Sequence, residues 1–165
     1  MILLIVTLFI IIIQDLKSRA ISWWTIPLLL GSIMYVRLVD LDWNIFLLEG
    51  GMNLLFLSLQ FLLVTIYFSI KKRQITNIAD TYLGLGDILF LIPISFLFPT
   101  INFVLFYITS VIAVLIGFLF YKKLINRNVE TIPLAGGQAI YLMLVLFFSK
   151  VFDFNMEGYF FPPLY

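Results

Sequence analysis

Carboxylates are the main chemical resource of this chain, which carries nine Asp and Glu residues but no His and no Cys. His- or Cys-ligated metal centres, disulfides, thiol nucleophiles and Ser-His-Asp triads are thereby excluded together. Any catalysis must come from acids, hydroxyls, Lys, Arg or backbone groups. Most of the acids read as solvated or interfacial. Asp40 and Asp42 fall in one polar loop, and Asp153 and Glu157 in the C-terminal tail. Glu49 sits near one end of an apolar run, where an interfacial carboxylate costs little, and Asp80 and Glu130 sit at helix entrances as candidate caps. Asp15 and Asp87 differ. Asp15 directly continues the apolar run from Ile2 to Gln14, and Asp87 lies inside another, about a turn and a half past its entrance. A carboxylate placed there costs a few kcal/mol, about 2.5–3.5 on insertion scales, and persists mainly where it faces a partner or a cavity.

Two such acids on one side of a bundle suggest aspartyl hydrolysis. Held close together they cannot both ionise cheaply, so they share a proton. The ionised member activates water while the protonated one polarises the scissile carbonyl, a route that requires no metal, His or Cys. Gly84 and Gly86 precede the second acid in Gly84-Leu85-Gly86-Asp87. Glycines there permit close helix approach or a locally unwound backbone, or, more blandly, a packing seam beside one snorkelling acid. Lys17 and Arg19 flank Asp15. They can orient its loop or simply mark topology.

The elements that must position these acids are membrane helices. The composition is 63% hydrophobic and 12% charged, with a mean hydropathy of +1.13, far too apolar for the surface of a soluble domain. Apolar runs predict an all-α, polytopic bundle of about six transmembrane helices in one domain, residues 1–165. The expected helices cover roughly Ile2–Gln14, Trp23–Arg37, Phe46–Ile70, Tyr82–Phe98, the stretch from Asn102 to Tyr121, and Ile132–Phe148. The loops after the first, third and fifth carry Lys17 and Arg19; Lys71, Lys72 and Arg73; and Lys122, Lys123 and Arg127. By the positive-inside rule those loops are cytoplasmic and both termini extracytoplasmic. Both singled-out acids then fall at the cytoplasmic face. No basic residue precedes the first apolar run, so it is expected to be retained as a helix rather than cleaved as a signal. The net charge of +1 offers no field for nucleic acid. The aromatic residues, 18% of the chain, read as lipid-facing and interfacial.

Asp15-Leu16-Lys17-Ser18-Arg19-Ala20-Ile21, Gly84-Leu85-Gly86-Asp87 and Thr131-Ile132-Pro133 together resemble the prepilin (type IV leader) peptidases, the GxGD-type intramembrane aspartyl proteases. The resemblance implies a six-helix core in a bacterial or archaeal cytoplasmic membrane. It implies Asp15 and Asp87 as the catalytic pair near the cytoplasmic face, supported by Gly84 and Gly86, with Lys17, Arg19 and Pro133 as auxiliaries and no metal or cofactor. The implied partners, besides the lipid bilayer, are pilin-like or pseudopilin-like precursors, each a short basic leader before an apolar helix. Many relatives also methylate the new terminus through an insert with paired cysteines. This chain has no cysteine and no such insert, so peptidase activity alone is expected. It departs from the family in having Leu89 where Lys is usual, and Ser22-Trp23 after Ile21 where Pro-Asn is usual. Competing readings are a non-catalytic assembly subunit or degenerate relative, and a small proton-coupled carrier with Asp87 in its ion path. Presenilin-like proteases are a nearer rival, but Pro133-Leu134-Ala135 has the wrong order for their late motif.

Overall fold

A computed structural model describes residues 1–18, 20–39, 41–72, 84–124 and 133–151. Arg19, Asp40, Arg73, Asp80, Tyr82, Arg127, Glu130, Thr131, Ile132, Asp153 and Glu157, all singled out above, lie outside these residues. Among the described residues the chain forms helices and no strand: α1 (Ile2–Ser18), α2 (Thr25–Arg37), α3 (Trp43–Lys72), α4 (Leu85–Ile94), α5 (Thr100–Leu124) and α6 (Leu134–Val151). Two of them, over Trp43–Lys71 and Thr100–Leu124, are long and apolar enough to cross a membrane, while α2, α4 and α6 are apolar but shorter.

α1 runs on through Asp15 and Leu16. Its buried residues, Leu4, Leu8, Ile11 and Asp15, recur at helical spacing, so Asp15 belongs to the same inward stripe as the apolar residues. At its end the Ser18 hydroxyl donates to the Gln14 carbonyl at 2.7 Å, occupying one of the acceptors a helix terminus leaves open. Gln14 also accepts the Ser22 N–H at 3.0 Å, and the Thr25 hydroxyl donates to the Ser22 carbonyl at 2.6 Å. These bonds shape the turn that returns the chain along α2.

α4 departs from expectation. Rather than covering Tyr82–Phe98, it spans ten residues, Leu85–Ile94, or roughly 15 Å against a hydrocarbon core of about 30 Å. Asp87 consequently lies in its first turn, not deeper inside. The early stop has a local cause. After Pro93 the chain tightens into i to i+3 bonds, Phe96 N–H to the Pro93 carbonyl at 3.1 Å and Leu97 N–H to the Ile94 carbonyl at 3.0 Å. Asn53 of α3 then donates to the carbonyls of Ser95 (2.7 Å) and Phe98 (3.0 Å), groups a longer helix would have bonded internally.

The helices pack as a layer around α1 and α6, which contact each other extensively; α2 packs on α1 and α4, α4 also on α6, and α5 on α6 and α3. Polar ties join them: Gln138 on α6 donates to the Ser110 hydroxyl on α5 at 3.2 Å. Arg37 and Glu49 pair at 2.7 Å between α2 and α3, with side chains only 5% and 14% exposed. Glu49 is therefore the partner of a buried cation. A correction concerns the aromatics. Phe90 and Phe103 are fully buried, with Phe98 and Phe106 nearly so, and the rings of Phe98 and Phe106 pack tilted at 32° with centres 5.2 Å apart. Part of the aromatic content builds the core.

Candidate active site

Both singled-out acids converge on the first turn of α6. The Gly136 N–H donates to Asp15 Oδ2 at 2.6 Å, and the Ala135 N–H donates to Asp87 Oδ1 at 2.8 Å. The first N–H groups of any helix lack internal acceptors and carry the positive end of the helix dipole, so this turn is a ready-made anion site. Pro133 stands just before it. Having no N–H of its own, proline costs nothing at a helix start, and its carbonyl accepts the Gly137 N–H at 3.0 Å to begin the helical ladder.

Asp87 is held from its own helix as well. Gly84, extended at φ −65° and ψ 140°, caps α4. Its carbonyl accepts the Asp87 N–H at 3.0 Å, and its own N–H hydrogen-bonds the Asp87 carboxylate, which is one half of a capping box, since glycine has no side chain to supply the other. The carboxylate thus lies between the N-termini of α4 and α6. Asp15 is placed differently, in the last turn of α1, where the dipole disfavours a negative charge by roughly 0.3–1 kcal/mol. It is only 5% exposed. The Gly136 N–H offsets both penalties by meeting it with the favourable end of another helix. The two carboxylates interact electrostatically with one another.

The glycines hold this geometry by their lack of a side chain. A Cβ on Gly136 would stand 2.9 Å from Asp15 Oδ2 and 3.1 Å from Asp15 Cβ, and one on Gly84 would stand 3.2 Å from Asp87 Oδ2. Gly86 is less constrained: its nearest neighbour would be Ile21 at 3.4 Å, an ordinary contact. That contact nonetheless brings the segment after Asp15 against the segment before Asp87. Lys17 is exposed on the last turn of α1. Two residues from Asp15, it lies on a different face of the helix. Leu89 is 39% exposed, on the outer side of α4.

The structure therefore brings together Asp15, Asp87, Gly84 and Pro133, sets Gly86 one contact away and leaves Lys17 apart. Ala135 and Gly136 were not among the sequence candidates, because they act through backbone N–H groups that every residue but proline carries. The small residues of Ala135-Gly136-Gly137, one residue beyond Pro133, were the available signal. Among the described residues no group of three acids forms that could hold a metal ion. What the arrangement can do chemically is share a proton between two carboxylates and polarise or activate whatever lies between them. Compared with family models, curated proteins and solved structures, the chain matches none.

Proposed function

We propose that the protein is a multi-pass membrane aspartyl endopeptidase, similar to the prepilin peptidases, with Asp15 and Asp87 as its catalytic pair. The observation that carries this reading is the meeting of the two acids on adjacent N–H groups of α6. They come from distant parts of the chain, and each sits in an otherwise apolar segment. In the proposed mechanism one carboxylate is ionised and takes a proton from water, while the other, protonated, donates a hydrogen bond to the scissile carbonyl. The α6 dipole steadies the negative charge the pair retains.

In this reading α1 to α6 are the transmembrane helices of the bundle. The shorter ones are accommodated by local thinning of the bilayer around the site. The Lys and Arg residues after α1, α3 and α5 face the cytoplasm and both termini lie outside, which puts the pair at the cytoplasmic face, where water enters from the side of the less buried Asp87. Substrates are membrane precursors with a short basic leader before an apolar helix, cut as the leader is removed. No methyltransferase insert is present, so the product terminus is left unmodified by this chain.

One specific observation favours a second reading. Carboxylates that accept helix N-terminal N–H groups also serve as plain caps, and in a non-catalytic assembly subunit Asp15 and Asp87 would do no more than join α1 and α4 to α6. Substitution by Asn separates the two, since the amide oxygen still accepts an N–H but cannot act as general base. The test is cleavage of a co-expressed pilin-like precursor by the intact protein, Asp15→Asn and Asp87→Asn, with insertion of each variant checked. Cleavage by the intact protein and a loss of about 10²–10⁴-fold in both inserted variants is expected for general acid–base partners. Undiminished cleavage in either variant removes the pair from the reaction.

A further inference from the structure

Between α5 and α6 lies a groove of about 500 Å³, lined by apolar and aromatic side chains with no charged residue among them. The two helices run antiparallel, since Gln138 of α6 meets Ser110 of α5 and Tyr141 meets Phe106. Tyr121 of α5 and Pro133 therefore mark one end of the groove, where Leu16 of α1 joins the lining, and Leu144 marks the other. From Pro133 to Leu144 is roughly 16 Å at the rise of a helix, close to half of a hydrocarbon core of about 30 Å. A Cβ on Gly137 would stand 2.7 Å from Val114 Cγ2, so the helices already touch there and cannot draw together, whereas one on Gly117 would meet nothing within 4 Å. The mouth of this apolar groove is basic. Lys17 follows Leu16, Lys122 follows Tyr121, and both lysines are exposed. Among the described residues neither is paired with an acid.

We infer that the groove is a binding site for a membrane phospholipid with an anionic headgroup, its acyl chain lying between α5 and α6 and its phosphate held at the mouth by Lys17 and Lys122. The inference rests on the membrane reading and orientation proposed above, but not on the chemistry of the carboxylates. Its length and charge select the occupant. The groove reaches from the lysine level to about the depth of one leaflet, which is the span of an acyl chain below its headgroup. Lysine stems lie along apolar surface while their ammonium groups stay at headgroup level, and each basic residue so placed favours an anionic lipid by about fivefold. A second copy of the chain, seated there across a two-fold axis, would bring the same lysines against one another.

The test is native mass spectrometry of the protein extracted from membranes in mild detergent and titrated with phosphatidylglycerol or phosphatidylcholine of the same acyl chains, alone or with a pilin-like precursor. Phosphatidylglycerol is expected to bind at least about tenfold more tightly than phosphatidylcholine. Gly117→Leu fills the groove where a side chain meets nothing, and it favours the helix; it is expected to weaken phosphatidylglycerol binding at least about tenfold. Gly51→Leu is the matched control, on an exposed position of α3 where a Cβ also meets nothing, and a change of less than about twofold is expected. Lys17→Gln with Lys122→Gln is expected to bring the two lipids within about threefold of each other. Equal binding of the two lipids by the intact protein, equal effects of the two leucine substitutions, or a full preference kept without the lysines overturns the site. So does a dimer or a precursor complex that Gly117→Leu abolishes while lipid binding persists, which would seat a second copy or an apolar helix in the groove. In a protein extracted from membranes each of these results sinks the lipid site alone. A protein that stays in solution without detergent sinks the membrane reading with it.

Discussion

Asp15 occupies a position that stability alone does not favour, at the negative end of α1 and nearly out of reach of solvent. Among its partners is the backbone N–H of Gly136, a position where a side chain would crowd the carboxylate. Gly136→Ala places a methyl 2.9 Å from Asp15 Oδ2, and the carboxylate has to swing off that N–H. Displacement of a reacting group by about 1 Å can cost 10²-fold in rate. The expected outcome is a fall of about that size in precursor cleavage, measured beside thermal unfolding in detergent. Alanine is the better helix former by roughly 1 kcal/mol, so a weakened α6 would not account for the fall. Gly86→Ala is the matched control. Its new methyl meets only Ile21, at 3.4 Å, and cleavage within about threefold of the intact protein is expected. Equal losses from the two substitutions would mean that small residues matter here for packing rather than for placing Asp15.

Among the elements, α4 is held in place by another helix. Its C-terminal carbonyls at Ser95 and Phe98 take their hydrogen bonds from Asn53, a fully buried side chain on α3. Asn53→Leu leaves both without that donor, and an unsatisfied buried polar group costs about 1–3 kcal/mol. Denaturant or thermal unfolding should register a loss of about 2 kcal/mol or more, and cleavage should fall too, because α4 carries Asp87. The reading of α4 as a long span from Tyr82 to Phe98 failed for a related reason. Hydropathy registers that Leu91, Ile94, Leu97 and Phe98 are apolar, and all are buried, but it does not register whether the backbone between them is helical. The donor that makes the early stop tolerable comes from α3, and nothing in the α4 segment itself reveals it. In α1 the run from Ile2 to Ile13 is apolar on nearly every face, so only the packing shows that Leu4, Leu8, Ile11 and Asp15 form an inward stripe.

Across the whole molecule, a buried ion pair and the distribution of charge set further tests. Arg37 and Glu49 link α2 to α3 at 2.7 Å. Removing one member of such a pair leaves the other charge buried, at a cost of about 3–5 kcal/mol, whereas replacing both with apolar residues is often neutral or better. Glu49→Gln is therefore expected to destabilise by about that amount, and Arg37→Met with Glu49→Leu to recover most of it, as read by unfolding in detergent. The proposed orientation can be checked cleanly because the chain contains no cysteine. Single cysteines at Leu124 and at Asp42 should react with a membrane-impermeant maleimide from opposite sides, Leu124→Cys from the cytoplasmic side. Reaction of both from the same side would overturn the proposed topology.

By itself the amino-acid sequence determined the all-helical class, the apolar segments, the lack of His and Cys chemistry, and the identity of the two acids worth attention. Each of these follows from composition and one-dimensional spacing, which survive without any knowledge of which helices touch. The tertiary structure alone decided that Asp15 and Asp87 share one site. Their meeting point is a pair of main-chain N–H groups at Ala135 and Gly136, and such groups become distinctive only once a helix begins there and leaves them without acceptors. The groove between α5 and α6, with Gly117 and Gly137 in its lining, belongs to the same class of fact. A glycine in a sequence marks an absent side chain, and only the packing of α5 against α6 shows whether that absence is filled.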